Sequence, residues 1–167
     1  DINTLVIVSP ADTLNPMEIM MLEDFLADGG NLLIAMNRVS GNMQQAQGFA
    51  VGNGLETWLA QKGIIMEEAF VVDANCNVIG VRQQIQGIQM TMQKPFPYLP
   101  KITKFADHPA SKGLETVLLP LVSPITFEGD TNISYTPLAT SSDKSGKEAA
   151  PLIFNPDKQW QESDFSN

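Results

Sequence analysis

The side chains best suited to catalysis in this chain are its only cysteine, Cys76, and its only histidine, His108. A thiol next to an imidazole can act as a nucleophile activated by a base, and Asp107 or Glu128 could orient the ring. On α/β sheets, however, a nucleophile normally occupies a strained elbow between small residues. Asparagines flank Cys76 instead. We therefore expect no catalytic residues, and a cysteine enzyme that uses Cys76 and His108 is the alternative hypothesis.

Metal and cofactor motifs are incomplete. Residues 73–77 place oxygen ligands at alternate positions, as a calcium-binding loop does, but Val78 and Gln84 occupy the positions where that loop needs glycine and glutamate. One cysteine and one histidine do not make a zinc ligand set. The glycines at 52 and 54 do not follow a predicted strand, as a dinucleotide-binding loop would require. We expect no metal and no cofactor.

Composition limits the class of partner. The chain has 167 residues, 43% of them hydrophobic, which suits a single domain with a true core. Ten basic and nineteen acidic residues give a net charge of −9, and the cations are scattered, so nucleic acid is not expected to bind. No apolar stretch approaches the ~18 residues of a transmembrane helix. We expect a domain excised from a longer protein, with membrane contact only through segments outside this chain.

The clearest structural signal is a parallel crossover unit in residues 4–37. Two apolar runs, residues 4–8 and 31–37, flank a helix predicted from Pro16 to Asp28. Asn15 is the expected N-cap and Glu18 its capping-box partner, and Gly29 can end the helix in the left-handed conformation. Because strands that are apolar on both faces are typical of parallel sheets between helix layers, the pattern predicts an α/β domain.

Methionines are frequent in this first helix. Met17 and Met21 repeat at helical spacing with Phe25, and Leu22 and Leu26 widen the apolar face. Methionines can form a pliable binding surface, but at this spacing we expect them to be packed in the core.

The chain divides into three predicted parts. The first part, residues 1–73, is predicted to be a parallel βαβαβ unit. After the second strand it continues with a glutamine-rich surface loop over residues 38–52, a helix from Asn53 to Gly63 and a third strand over residues 69–73. Residues 74–141 are β-rich, with one or two antiparallel strands within residues 78–93 around Gly80 or Gly87. The proline-rich segment, residues 95–100, should be extended but not a central strand. Residues 142–167 form a polar tail whose end we expect to be loose.

Two surfaces are candidates for binding. Ligands of parallel α/β sheets bind in the crevice at the carboxyl ends of the strands. Four polar side chains are expected to converge there: Asp12, Asn37, Arg38 and Asp73. The second candidate is the proline-rich segment, where Phe96 and Tyr98 could anchor a partner, with the loop over residues 38–52 beside it. In the alternative interpretation both aromatics close over the core.

Several separated blocks together resemble one known family. The order of the blocks, which extend over nearly the whole chain, is similar to that in the auxiliary domain of ABC-type transport systems, whose GldG-like members are associated with gliding motility. The blocks are residues 5–10, 14–18, 25–34, 55–64, 71–73, 95–100, 107–109, 113–117, 119–120 and 137–142. The Gly29-Gly30 pair of the opening is shared with the wider glutamine-amidotransferase-like superfamily.

The resemblance implies a fold, a location and a class of partner. Such domains look like extracytoplasmic, periplasmic parts of membrane-anchored proteins that accompany an ABC permease and ATPase. The implied fold is a three-layer flavodoxin-like sheet, similar to class I glutamine amidotransferases but without their catalytic residues, followed here by a β-rich half. We therefore expect a non-catalytic interaction or ligand-binding domain. An amidotransferase-like cysteine enzyme is the first alternative, and a carbohydrate-binding domain that uses Trp58 or Trp160 is the second.

Overall fold

The computed structural model describes residues 2–85, 87–129 and 133–166. Strands outnumber helices among these residues. In chain order the elements are β1 (Thr4–Val8), α1 (Pro16–Ala27), β2 (Asn31–Ala35), β3 (Val39–Asn42), β4 (Gln47–Ala50), α2 (Leu55–Gln61), β5 (Ile64–Met66), β6 (Ala69–Asp73), β7 (Cys76–Ile85), β8 (Ile88–Ile102), β9 (Lys104–Phe105), β10 (Val117–Leu118), β11 (Ile125–Phe127), β12 (Ala139–Thr140), β13 (Ser145–Ala149), β14 (Leu152–Ile153) and a short 3-10 helix (Glu162–Phe165).

The predicted crossover at the start of the chain is confirmed. β1 and β2 pair in parallel, with Val6 opposite Leu33, and α1 connects them. The Asn15 side chain accepts hydrogen bonds from the backbone N–H groups of Met17 (2.9 Å) and Glu18 (3.1 Å), and Glu18 accepts one from the Asn15 N–H (2.8 Å). Since this satisfies donors that every helix start leaves without a partner, the helix begins where the sequence predicts.

The predicted fold class is wrong. β1 and β2 are the one parallel pair in the described sheets, and the other paired strands are antiparallel and form several small sheets rather than one flavodoxin-like parallel layer. The strand predicted as the third parallel one, β6, instead pairs antiparallel with β13. An apolar strand shows that both of its faces are covered, but it does not show which strand lies beside it.

The predicted loop over residues 38–52 is also wrong, because β3 and β4 pair there as an antiparallel hairpin and β14 adds to β4. Polar residues at its tip form the turn, where the Asn42 side chain accepts from the N–H groups of Gln44 and Gln45. The hairpin packs on the core through Val39, whose side chain is 2% exposed.

The proline-rich segment is extended, as the sequence predicts, and is part of β8, where it pairs with β7. β10 pairs with β8 beyond this segment, at Lys101 and Ile102. The pairing of β7 with β8 jumps from Phe96 to Pro100 at a bulge, so the strand pair tolerates prolines that lack an N–H. The antiparallel strands predicted within residues 78–93 are confirmed as the distal part of β7 and β8, with Gly87 at a φ of 84° in the turn.

Two separate clusters form the core. One packs α1 and α2 over the inner face of β1 and β2, with Leu22, Leu55, Trp58 and Leu59 at its centre. The other surrounds β6 and the proximal half of β8, and its buried members are Val39, Phe70, Val72, Phe96, Tyr98 and Phe154.

Residues 142–166 are not the loose polar tail that the sequence predicts. β13 pairs along the whole length of β6, and Phe154 is 3% exposed in the aromatic cluster. Trp160 and Phe165 pack against the same cluster. A few widely spaced aromatic residues supply most of the apolar packing of this segment, and the polar Ser145 is buried as well.

Met17 and Met21 are not core residues, because 67% and 63% of their surfaces are exposed. α1 packs on the sheet through Leu22, Phe25 and Leu26, and its outer side has no neighbouring layer in the described structure. The two methionines do lie on a helix, as their spacing predicts, but no second layer of the described structure covers the side of α1 on which they lie.

Candidate functional site

The crevice predicted at the carboxyl ends of the parallel strands exists. It has a volume of about 530 Å³ and lies where β1 and β2 end. Its lining residues come from the segments after these strands and from the β3–β4 region: Ser9, Pro10, Ala11, Met36, Asn37, Val39, Ser40, Val51, Gly52 and Asn53.

Asn37 lines the crevice, but its amide is fully engaged inside the protein. Its Nδ2 donates to the Leu121 carbonyl (2.6 Å), and its Oδ1 accepts from both the N–H (2.8 Å) and the hydroxyl (2.7 Å) of Ser123. Asn37 therefore ties the end of β2 to the segment before β11, and it has little hydrogen-bonding capacity left for a ligand.

Arg38 is buried beside the crevice and binds three elements. Its guanidinium donates to the Val51 carbonyl (2.8 Å), forms an ion pair with Glu56 (2.9 Å) and contacts the carboxylate of Glu68. Burial alone would raise the pKa of Glu56, but backbone N–H donors, with Asn53 among them, and the nearby guanidinium together hold that pKa below its usual value. Arg38 therefore acts as an internal clamp.

Asp73 lies outside the crevice, and the predicted convergence of the four polar residues is therefore wrong for this residue. It is fully buried, and its carboxylate accepts from the Asn75 N–H (2.7 Å) and from the N–H (2.7 Å) and hydroxyl (2.6 Å) of Ser142. Asp12 is exposed on the segment after β1 and does not line the crevice. Of the four residues, the structure brings Asn37 and Arg38 together.

Sequence reasoning missed two features of the crevice. Ser9 has a φ of 42°, in the left-handed region, which costs a residue other than glycine about 1–2 kcal/mol. Asn53 closes the opposite wall, where its Nδ2 donates to the Pro10 carbonyl (3.2 Å) and its carbonyl accepts from the Leu14 N–H (2.8 Å). No motif marks Asn53 as part of this wall, because both of its contacts join segments about forty positions apart.

Within the described residues, no hydrogen bond joins Cys76 to His108. Cys76 begins β7, and burial raises the pKa of its thiol, an effect that the nearby Asp73 carboxylate increases. An activated cysteine shows the opposite shift. The His108 ring lies in the turn after β9, where its Nδ1 accepts from the Ala110 N–H (3.1 Å).

Phe96 and Tyr98 lie inside the aromatic cluster, each only 1% exposed. Their ring centroids are 5.0 Å apart, and Tyr98 also packs edge-on against Phe154 at 5.0 Å. The Tyr98 hydroxyl donates to the Glu148 carboxylate, and burial together with this carboxylate raises the pKa of the phenol. Neither ring is accessible to a partner. The two aromatics close over the core, as in the alternative interpretation of the sequence.

The tryptophans are covered as well. Trp58 is 4% exposed and its ring N–H donates to Glu23 (2.6 Å). The Lys158 ammonium lies 3.9 Å from the centre of the Trp160 ring and covers one face of it. Neither ring offers the open face on which a sugar would stack.

The open surface of the molecule lies on the other side of the β1–β2 sheet. Residues that alternate along the two strands form its outer face, and Val6, Val8 and Leu33 are 54%, 64% and 58% exposed there. We call this surface the outer sheet face. It is apolar, and no other element of the described structure covers it.

Among the described residues, no group of three or more His, Cys, Asp or Glu side chains could hold a metal ion. Neither helix in the described part of the chain is long and apolar enough to cross a bilayer.

A family model described as an ABC-type uncharacterized transport system matches residues 1–167. The comparisons with curated proteins and with solved structures gave no match. Because the family match spans every residue of the sequence, the chain belongs to this family of auxiliary components of ABC-type transport systems.

Proposed function

We propose that this chain is a non-catalytic protein-binding domain that joins the auxiliary component to another component of its ABC-type transport system. The family supports the class of partner, since an auxiliary component works in association with a transporter. The outer sheet face would be the contact surface. The raised pKa of the Cys76 thiol favours binding over cysteine chemistry, and the His108 Nδ1 accepts from the Ala110 N–H instead.

The observation that carries the proposal is the exposure of the outer sheet face. Parallel sheets are found almost only with both faces covered, because their strands are apolar on both sides. Here α1 and α2 cover the inner face, while Val6 and Leu33 lie side by side on the other face and are more than half exposed. An apolar surface of a partner would provide the missing layer.

The expected gain from this contact is moderate. Complete burial of a valine or leucine side chain contributes about 1.5–3 kcal/mol, and these side chains are already about half-buried. Val6, Val8 and Leu33 would each contribute on the order of 1 kcal/mol. A contact of this size suits a subunit that is also held in place by other segments.

Binding to a partner protein is favoured over binding of a small ligand in the crevice. Asn37, which lines the crevice, and Arg38, which lies beside it, direct their polar groups to other parts of the protein. The outer sheet face has no such internal partners.

Site-specific photo-crosslinking tests the proposal. A photoreactive amino acid would replace Leu33 in the full-length protein in its native cells, and a second variant would carry it at Lys112, which is exposed in the turn before β10. We expect adducts with the permease subunit from position 33 and none from position 112. Equal adduct formation at the two positions, or no transporter adduct at position 33, would contradict the proposal.

The location and the link to gliding motility are part of the same proposal and rest on the sequence resemblance. The domain would face the extracytoplasmic side of the membrane, held there by segments outside this chain. A cysteine introduced at the exposed Lys112 position should react with a membrane-impermeant maleimide in intact spheroplasts. Labelling that requires lysis would place the domain in the cytoplasm instead.

A further inference from the structure

The β7–β8 hairpin extends away from the rest of the molecule. Its distal part consists of residues 80–85 and 88–93, which pair with each other, and we call it the arm. Residues 88–93 are all exposed, and within the described contacts β10 reaches β8 only at Lys101 and Ile102. The arm therefore has a free strand edge along residues 88–93. Two-stranded hairpins without further packing are at best marginally stable in water, so this part of the protein needs a contact.

The two faces of the arm differ in polarity. Ile88, Met90 and Met92 alternate along β8 on one face and are 66%, 51% and 42% exposed. Met92 lies opposite Val81, another apolar residue. The residues between them, Gln89 and Thr91, point to the other face because side chains alternate along a strand.

An apolar groove that could accept these side chains lies elsewhere in the molecule, beside β1 and α1. It has a volume of about 610 Å³ and runs between β1 and α1, with Leu5, Ile7, Met21 and Phe25 among its walls. β1 pairs with β2 on one side, and its other edge is free in the described structure. We call this the apolar groove.

We propose that the arm of one copy of this chain adds to the free edge of β1 in a second copy. β8 residues 88–93 and β1 residues 4–8 have similar lengths, so their backbone groups can form a continuous ladder. In that arrangement Ile88, Met90 and Met92 enter the apolar groove beneath α1, while Gln89 and Thr91 remain on the opposite face.

Neither strand edge carries the features that normally prevent such pairing. Natural proteins protect free edges with lysines, other charges or prolines. β1 has the sequence Thr-Leu-Val-Ile-Val, and residues 88–93 have the sequence Ile-Gln-Met-Thr-Met-Gln. No charge or proline occurs in either segment, so nothing opposes their approach.

The charges of the two surfaces are complementary. Residues 1–37, which include β1 and α1, contain six acidic residues and no lysine or arginine. Residues 74–106, which include the arm, contain four lysines or arginines and no acidic residue, and two of these, Lys94 and Lys104, form ion pairs with Asp157 and Asp143 of the same chain. Two chains with a net charge of −9 repel each other in most orientations, and Arg82 and Lys101 of one copy near the acidic segment of the other would reduce this repulsion.

This contact is independent of the proposed function. It uses the edge of β1 and the groove on its α1 side, whereas the proposed transporter contact uses the outer sheet face. A loss of one contact in a variant therefore leaves the other testable.

Sedimentation equilibrium of the purified chain over a range of concentrations tests the proposal. We expect reversible self-association, and we expect Met90→Lys to weaken it about tenfold or more, because the ammonium would enter the apolar groove. Gln89→Lys adds the same charge on the polar face of the same strand and should associate as the unmodified chain does. A chain that stays monomeric at every concentration, or equal effects of the two variants, would overturn the proposal.

A disulfide experiment identifies the surfaces. In a Cys76→Ser background, Leu5→Cys and Met90→Cys are placed in separate chains of different tag length and mixed under mild oxidation. We expect the mixed disulfide to form at least several-fold faster than either homodimeric one. If the Met90→Cys chain pairs preferentially with itself, the arms contact each other and the proposed groove contact is wrong.

Discussion

At the level of single residues, the polar side chains at this site are engaged in holding the protein together. Arg38 connects the start of β3 to α2 and to the segment before β6 through Glu56 and Glu68. Asp73 connects β6 to the C-terminal segment through Ser142. Buried charges need such partners, because an unpaired charge in the interior is costly. A polar residue directly after a strand can therefore hold two parts of the protein together just as well as it can bind a ligand.

Cys76 provides the residue-scale prediction. Because burial raises the pKa of its thiol, little thiolate is present at neutral pH, and the thiolate is the reactive form. We expect iodoacetamide to alkylate Cys76 more slowly than it alkylates free cysteine at the same pH. Mass spectrometry of the intact protein over time gives the rate. Alkylation faster than free cysteine would support the cysteine-enzyme alternative.

At the level of elements, the sequence predicted those helices and strands whose defining residues are close to each other in the chain. The Asn15 cap, Glu18 and Gly29 lie within one or two turns of the helix ends that they define, so α1 was predicted within one residue at its end. The antiparallel strands of the β7–β8 hairpin were predicted for the same reason, since alternating residues and Gly87 lie near each other. The bulge that admits Pro97 into β8 depends on tertiary packing and was missed.

The capping box of α1 gives the element-scale prediction. Asn15→Ala should lower the free energy of unfolding by about 1 kcal/mol, because the N–H groups of Met17 and Glu18 would lose their acceptor. Asn15→Ser keeps an acceptor oxygen and should cost much less. Urea denaturation of the three proteins, followed by circular dichroism, measures the differences. Equal losses for alanine and serine would show that the cap does not stabilise the helix.

At the level of the whole molecule, the C-terminal segment is part of the core rather than an appendage. β13 is the partner strand of β6, and Phe154, Trp160 and Phe165 pack on the aromatic cluster. The hydrogen bond between the Ser142 N–H and the Asp73 carboxylate joins residues that are 69 positions apart in the sequence. Contacts at this separation join the middle of the chain to its C-terminal segment, so folding of the aromatic core depends on both.

Truncation tests this dependence. A chain that ends at Lys144 lacks β13 and the aromatic residues that follow, so β6 and the Phe70 ring would face water. We expect this chain to lose cooperative thermal unfolding, measured by calorimetry. A chain that ends at Phe165 keeps these contacts and serves as the control. If the two chains melt with similar midpoints and enthalpies, the segment is dispensable for the core.

The sequence by itself determined the crossover of β1, α1 and β2, the hairpin of β7 and β8, and the family, because each depends on neighbouring residues or on the order of short blocks. Tertiary structure alone decided that β6 pairs with β13, that Phe96 and Tyr98 are buried and that Met17 and Met21 are exposed. Periodicity shows which face of an element is apolar. Which element covers that face is decided by distant residues, whose pairing leaves no local pattern.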